Sequence, residues 1–201
     1  MSRFHTRLAA FSTIIVLALG LSGCGINAIP RQDEQVKAAW SQVLNEYQRR
    51  SDLIPNLVNT VKGYAHQEKT VLTEVIQARA KATQTQINLP PDVLSNPQAF
   101  QQFEQSQNNL GNALGRLLVV SERYPDLKSN ENFLALQSQL EGTENRIAVA
   151  RRDYIEAVQS YNTMLRTIPY RWTAAIFYPD AKVKQTFTIS EQAQQAPKVQ
   201  F

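Results

Sequence analysis

Residues 36–80 read VKAAWSQVLNEYQRRSDLIPNLVNTVKGYAHQEKTVLTEVIQARA, and their spacing decides the fold class. Val36, Trp40, Val43, Tyr47, Ile54, Leu57, Val61, Tyr64, Val71, Val75 and Ala78 recur in steps of three and four, or their sum, with polar residues between them. That period is the period of an amphipathic helix with one apolar stripe. At a rise of about 1.5 Å per residue, one helix of this length reaches roughly 70 Å and needs partners along it. Arg50 and Glu68 fill the two stripe positions that carry charge. Pro55 follows Arg50 by little more than a turn and lacks an amide hydrogen, which predicts a kink there. The alternative is two helices, the second capped by Asp52 with Pro55 in its first turn.

The rest of the chain repeats the pattern. Asn88–Pro97 holds three of the nine prolines and reads as a connection. Asn96 before Pro97 has the form of an N-cap and first helical residue. Phe100, Phe103, Leu110, Leu114, Leu117 and Tyr124 then share a face, on a helix whose front half is rich in Gln and Asn. Pro125 ends it. A further helix starts near Asn130 and carries Phe133, Leu136, Leu140, Ile147, Tyr154, Val158, Tyr161, Leu165 and Ile168, with Glu144 and Arg151 in its stripe. Pro169 closes it. Strand signals are too scarce for a sheet. The reading is all-α: an elongated antiparallel bundle of three main long helices, with a short C-terminal segment packed on it. Helices of unequal length leave gaps, and the tail is the candidate filler.

The N-terminus reads as an export segment. Arg3 and Arg7 precede an apolar run, Leu8–Leu21, which is short for a membrane-spanning helix. Leu21-Ser22-Gly23-Cys24 closes the run, and Cys24 is the only cysteine. The four residues resemble a bacterial lipobox. That resemblance implies cleavage before Cys24, acylation of Cys24 and attachment to a membrane. It further implies an outer-membrane lipoprotein facing the periplasm in a diderm cell, because Gly25 is not the aspartate of a retention signal. The expected organisation is therefore a signal peptide at 1–23, a lipid-anchored tether at 24–35, the bundle at 36–168 and a C-terminal segment at 169–201, partly extended or flexible.

Removing residues 1–23 takes away Arg3 and Arg7 and no acid, which lowers the formal net charge from +4 to +2. A body so close to neutral lacks the charge excess of a nucleic-acid binder. A single cysteine permits no internal disulfide, so packing must hold the fold.

Three blocks resemble the LemA family. The first is Arg49-Arg50-Ser51-Asp52-Leu53-Ile54-Pro55-Asn56-Leu57-Val58, running on to Val61-Lys62-Gly63-Tyr64-Ala65. The second is Tyr124-Pro125-Asp126-Leu127-Lys128 with Phe133, Leu136, Gln137 and Leu140. The third is Glu141-Gly142-Thr143-Glu144-Asn145-Arg146-Ile147-Ala148, leading to Ala150-Arg151-Arg152-Tyr154 and Tyr161-Asn162. The resemblance covers about residues 36–168, in order. It implies a membrane-tethered helical bundle and no particular reaction. The lipobox departs from members that keep an uncleaved membrane helix.

Polar side chains on the stripes are the candidate site. Arg50, Asp52, Glu141, Glu144 and Arg151 are expected to meet as a polar layer inside the bundle near Pro55. Such a layer sets helix register at some cost in stability, or forms a small ligand or ion site. Metal ligation is disfavoured: His66 is the only histidine after residue 23, and Glu68, two residues on, faces elsewhere. No Ser-His-Asp or Cys-His set and no phosphate-cradling glycine loop is recognisable. No catalytic residue, cofactor or metal is expected, and the chain is not read as an enzyme. Trp172, Phe177 and Tyr178 lie beyond the helix-ending proline and either cover the open end of the bundle or form a partner surface. The function expected is that of a lipid-anchored envelope protein that binds or scaffolds another envelope component. The alternative is an envelope enzyme or small-ligand protein that uses the polar layer. Oligomeric state is left open.

Overall fold

A computed structural model describes residues 26–65 and 67–188. Six α-helices form it: α1 (Ala28–Tyr64), α2 (Lys69–Ile87), α3 (Pro97–Ser121), α4 (Pro125–Lys128), α5 (Glu131–Arg166) and α6 (Tyr170–Phe177). A 3-10 turn at Val93–Ser95 precedes α3, and no strand occurs among the described residues. The fold is all-α and elongated. It has four long helices where the sequence reading expected three.

The extra helix comes from the stretch quoted above. The single rod folds back on itself at Ala65–Glu68, and α2 returns antiparallel along α1. Arg79 and Thr83 of α2 meet Ser51 of α1, and Gln86 donates to the Leu44 carbonyl at 3.2 Å. The turn is satisfied internally, with the Ala65 amide on the Val61 carbonyl (2.8 Å) and the Glu68 amide on the Ala65 carbonyl (3.1 Å). Crossing the turn shifts the apolar phase. Leu72, Val75 and Ala82 are buried, rather than a stripe running through Val71. Tyr64, expected in the core, is exposed and accepts a hydrogen bond from Asn130.

Pro55 lies inside a continuous α1, neither a break nor a first-turn residue. Its missing amide frees the carbonyl of Ser51, four residues earlier. The Arg79 guanidinium of α2 takes that carbonyl, Nε donating at 2.8 Å. The position that looked like a breaker is therefore where α2 docks. At the starts of α3 and α5 the sequence cues hold, whereas Pro125, read as a helix end, opens the short α4. Asn96 caps α3 with Pro97 next to it, and Asn130 caps α5 by accepting from the Phe133 amide. The bundle also begins earlier than expected, since Ala28 opens α1 within the stretch assigned to a tether.

α1, α2, α3 and α5 alternate in direction as an up-down-up-down bundle, with α1 against α5 and α2 bridging α1 to α3. Two cores result. The proximal one, at the Ala28 end, is aromatic: Trp40, Tyr47, Phe100, Phe103, Tyr154, Tyr161 and Phe187. The distal one is mostly aliphatic, built from Ile54, Leu57, Val61, Leu72, Val75, Leu110, Leu117, Leu127 and their neighbours. α2 ends beside Leu44, so the proximal half lacks a fourth helix. The expected filler is present: the tail lays Phe187 against Trp40, Phe100 and Tyr154, at ring centroid distances of 6.1, 5.0 and 5.6 Å. Its backbone is held by Tyr154, whose hydroxyl donates to the Gln185 carbonyl (2.7 Å), and by a two-way bond between Asn162 and Lys184.

Candidate functional site

Where the two cores meet, the interior turns polar. Arg50 projects from α1 across the bundle and is buried, with only 4% of its side chain exposed. Its Nη1 donates to Glu144 Oε1 of α5 at 3.0 Å. Nη2 donates to the Gln107 carbonyl (3.0 Å) and to Gln107 Oε1 (2.8 Å) on α3. The guanidinium also lies 5.0 Å from the Tyr47 ring centre. Arginine suits this position because its planar fork addresses three acceptors and stacks on a ring at once. Ser51, Ser106 and Thr143 are buried nearby and satisfy their hydroxyls on Thr83 or on helix carbonyls.

A second charged pair lies on the proximal side. Arg151 of α5 meets Glu104 of α3 at 3.5 Å and places its guanidinium 4.3 Å from the Phe187 ring centre. Burial pushes the Glu104 carboxyl up, opposed by Arg151 and by hydrogen bonds from Thr188.

α3 and α5 do not close on each other here, and a cleft of about 660 Å³ stays open between them, with Arg50 of α1 on its floor. Glu144 and Arg151 line one wall. Glu104, Gln105, Gln107, Asn108, Asn109 and Asn112 line the other, and Phe187 and Thr188 close the proximal end. The amides offer both donors and acceptors along the wall, while the charges are already paired with one another. The arrangement suits recognition of polar groups more than the activation of a nucleophile.

The expected layer is thus assembled in part. Arg50 and Glu144 pair directly. Arg151 lines the same cleft with a different acid, Glu104. Asp52 lies outside the layer, exposed, accepting from Gln48 at 2.7 Å one turn away on its own helix. Glu141 is likewise exposed and accepts from Gln137. Their spacing put them near the stripe, but their faces turn to solvent. Gln107 and Glu104 were missed, because a Gln- and Asn-rich helix front reads as solvated surface. Glu68, the other charged stripe position, accepts from the Tyr124 hydroxyl at 3.1 Å and ties the start of α2 to the end of α3. Trp172 and Phe177 are exposed, while Tyr178 packs partly on the proximal core. Cys24 and His66 lie outside the described residues. Among the described residues no cluster of His, Cys, Asp and Glu is placed to hold a metal ion.

Residues 39–201 match the LemA family model. The chain belongs to the LemA family. Among curated relatives, magnetosome protein MamQ 2 of Paramagnetospirillum magneticum is 26% identical over 159 residues, covering 72% of this chain and 58% of that protein. MamQ of Magnetospirillum gryphiswaldense is 24% identical over the same length. Protein LemA of Metamycoplasma hominis is 21% identical over 150 residues, covering 75% of this chain and 62% of that protein. The chain therefore spans less than two thirds of the length of the relatives it matches. The LemA match takes in the Arg50 layer, the amide wall of α3 and the tail through Phe187.

Proposed function

We propose that this LemA-family chain is a lipid-anchored cell-envelope protein that acts by binding: its cleft holds a polar segment of another envelope component against a tethered helical body. One observation carries the binding reading. The cleft is lined by an amide-rich wall and by charges neutralised in pairs, a surface that can exchange hydrogen bonds without leaving a buried charge alone. Two of the relatives are named as magnetosome proteins, and none of the names states a reaction. The anchor is supported by Leu21-Ser22-Gly23-Cys24 and the apolar run before it.

The polar layer also favours a second reading, a small-ligand site on the cleft floor. Arg50 Nε is buried without an acceptor there.

Photocrosslinking in living cells tests the first. A crosslinking residue at Asn108 or Asn112, both exposed on the amide wall, is expected to give a discrete adduct with another protein, and one at Lys81, exposed on α2 and outside the cleft lining, is not. Changing Gln105 and Asn109 to alanine is expected to abolish the adduct. Adducts of equal yield from all three positions, or none from the cleft, overturn it.

A further inference from the structure

The end of the molecule where α1 begins carries an apolar ridge that the cleft does not use. Ile168, Trp172, Ile176 and Phe177 are 64, 62, 72 and 55% exposed. Trp172 and Ile176 stand one turn apart on α6 and share its outer face, while Ala174 on the other side is buried in the core. α6 is fixed in place rather than loosely attached. Phe177 and Tyr178 line a cavity of about 320 Å³ together with Ile29 and Pro30 of the first turn of α1 and with Tyr161 of α5. Ala174 is buried in the proximal core and Tyr178 packs against it, which docks α6 on the bundle.

Two further observations say what meets this ridge. The first is where the preceding chain enters. The apolar run Leu8–Leu21 and the lipobox cysteine lie only a few residues before Ile29, which lines the same cavity as Phe177. Acylated at Cys24 as proposed, the chain brings hydrocarbon to this end of the bundle. The second is charge. Arg31, Arg166, Arg171 and Lys182 are exposed around the same end. The acids there are mostly engaged: Asp33 pairs with Lys37 and Lys184, and Glu34 with Lys37, leaving Asp180. A short helix with an apolar outer face, a tryptophan on that face and basic residues at its edge is the composition of a segment that lies in a bilayer interface. Anionic lipid headgroups complement the basic rim.

We infer that α6 is a membrane-contact element: Ile168, Trp172, Ile176 and Phe177 lie at the headgroup–acyl boundary of the leaflet that holds the anchor, so that the bundle stands on the membrane at two points, its acylated N-terminus and α6. Two contacts fix an orientation that one flexible tether does not. They set the long axis of the bundle away from the lipid and lift the cleft off the surface. The inference rests on the tether proposed above.

Bromine quenching tests it in the full-length chain. The protein is reconstituted into vesicles of phosphatidylethanolamine and phosphatidylglycerol, with and without bromine on the acyl chains, and recovered by flotation. The two tryptophans are distinguishable, because Trp40 is buried in the proximal core and Trp172 is on the ridge. Brominated lipid is expected to quench the wild type, and Trp172→Phe, checked for unchanged helicity, is expected to lose that quenching. Flotation with no bromine quenching, or with equal quenching in the variant, overturns the membrane contact and leaves the tether standing. Flotation without quenching, together with a protein adduct from a crosslinker at position 172 in cells, assigns the ridge to a protein partner instead. Failure of the full-length chain to float overturns the tether and this inference with it.

Discussion

The proximal and distal halves of the bundle run on the same three long helices, α1, α3 and α5, yet they are filled by different means. Distally, α2 folds back and supplies a fourth helix, so aliphatic side chains suffice: Leu57, Val61, Leu72, Leu110 and Leu117 interdigitate at ordinary helix spacing. Proximally α2 is absent, and a wider space must be closed by large rings and by an irregular tail. Trp40 alone packs on Phe100, Phe103, Tyr154 and Phe187 at centroid distances of 5.6, 5.0, 5.3 and 6.1 Å. The polar layer of Arg50 marks the changeover. Secondary structure decides which side chains a core needs: where a helix is missing, volume per residue must rise, and where rings are used, their polar ends must find partners. Tyr154 finds one in the tail, and Lys184 lies near the Tyr161 ring while pairing with Asp33.

The largest difference between the halves is expected in alkali. Burial raises Tyr47, Tyr154 and Tyr161, and Tyr161 is pushed up to about 12, with the nearby Asp33 carboxylate adding to the effect. The unfolded chain ionises its phenols near the ordinary value of about 10. A group protonated in the fold and ionised when unfolded costs stability as pH rises through that window. The distal half has the exposed Tyr64 and a single raised phenol, Tyr124, pushed up by desolvation and by its bond to Glu68, against three in the proximal half. Between pH about 10 and 12 hydrogen exchange is expected to open the proximal half while distal amides stay protected. Simultaneous loss of both halves would show one cooperative unit.

Phe187→Ala attacks the same contrast by packing. It removes the ring that closes the aromatic core, and the expected cost is about 3–5 kcal/mol in chemical unfolding. Lost exchange protection is expected around Trp40, Phe100 and Tyr154 and not around Leu117. Uniform loss, or a cost below about 1 kcal/mol, would mean that the tail is not an element of the core.

Helix content, element ends and most core positions were legible because each rests on local spacing or on a cap: Asn96, Asn130, Pro97, and the stripes through Trp40, Phe103 and Tyr154. The hairpin turn was not. Nothing between Gly63 and Lys69 breaks a helix strongly, and the period runs across the gap with an offset of a single residue, Leu72 for Val71. The reversal is imposed from outside, by the cover that α1 and α3 offer. At the site, Arg50 and Glu144 were legible as charges on apolar stripes. Glu104 and Gln107 were not, because what makes them interior is a neighbouring helix and a tail hundreds of atoms away in sequence. Asp52 and Glu141 show the converse error, since nearness to a stripe does not fix the side of it.

Pro55 gives the smallest effect and the sharpest test of how the distal half is assembled. Its ring leaves the Ser51 carbonyl without a helical donor, and Arg79 Nε supplies one from α2 at 2.8 Å. If that bond is what docks α2, the two residues are energetically coupled. Arg79→Met leaves a buried carbonyl unpaired and is expected to cost about 1–2 kcal/mol. Pro55→Ala restores an amide donor within α1, so in that background the carbonyl is already satisfied and Arg79→Met is expected to cost roughly 1 kcal/mol less. Denaturant unfolding of the four proteins measures the coupling. Additive costs would mean that the guanidinium contributes packing alone, and that α2 is held to α1 by Leu72, Val75 and Ala82 without help from the proline's vacant rung.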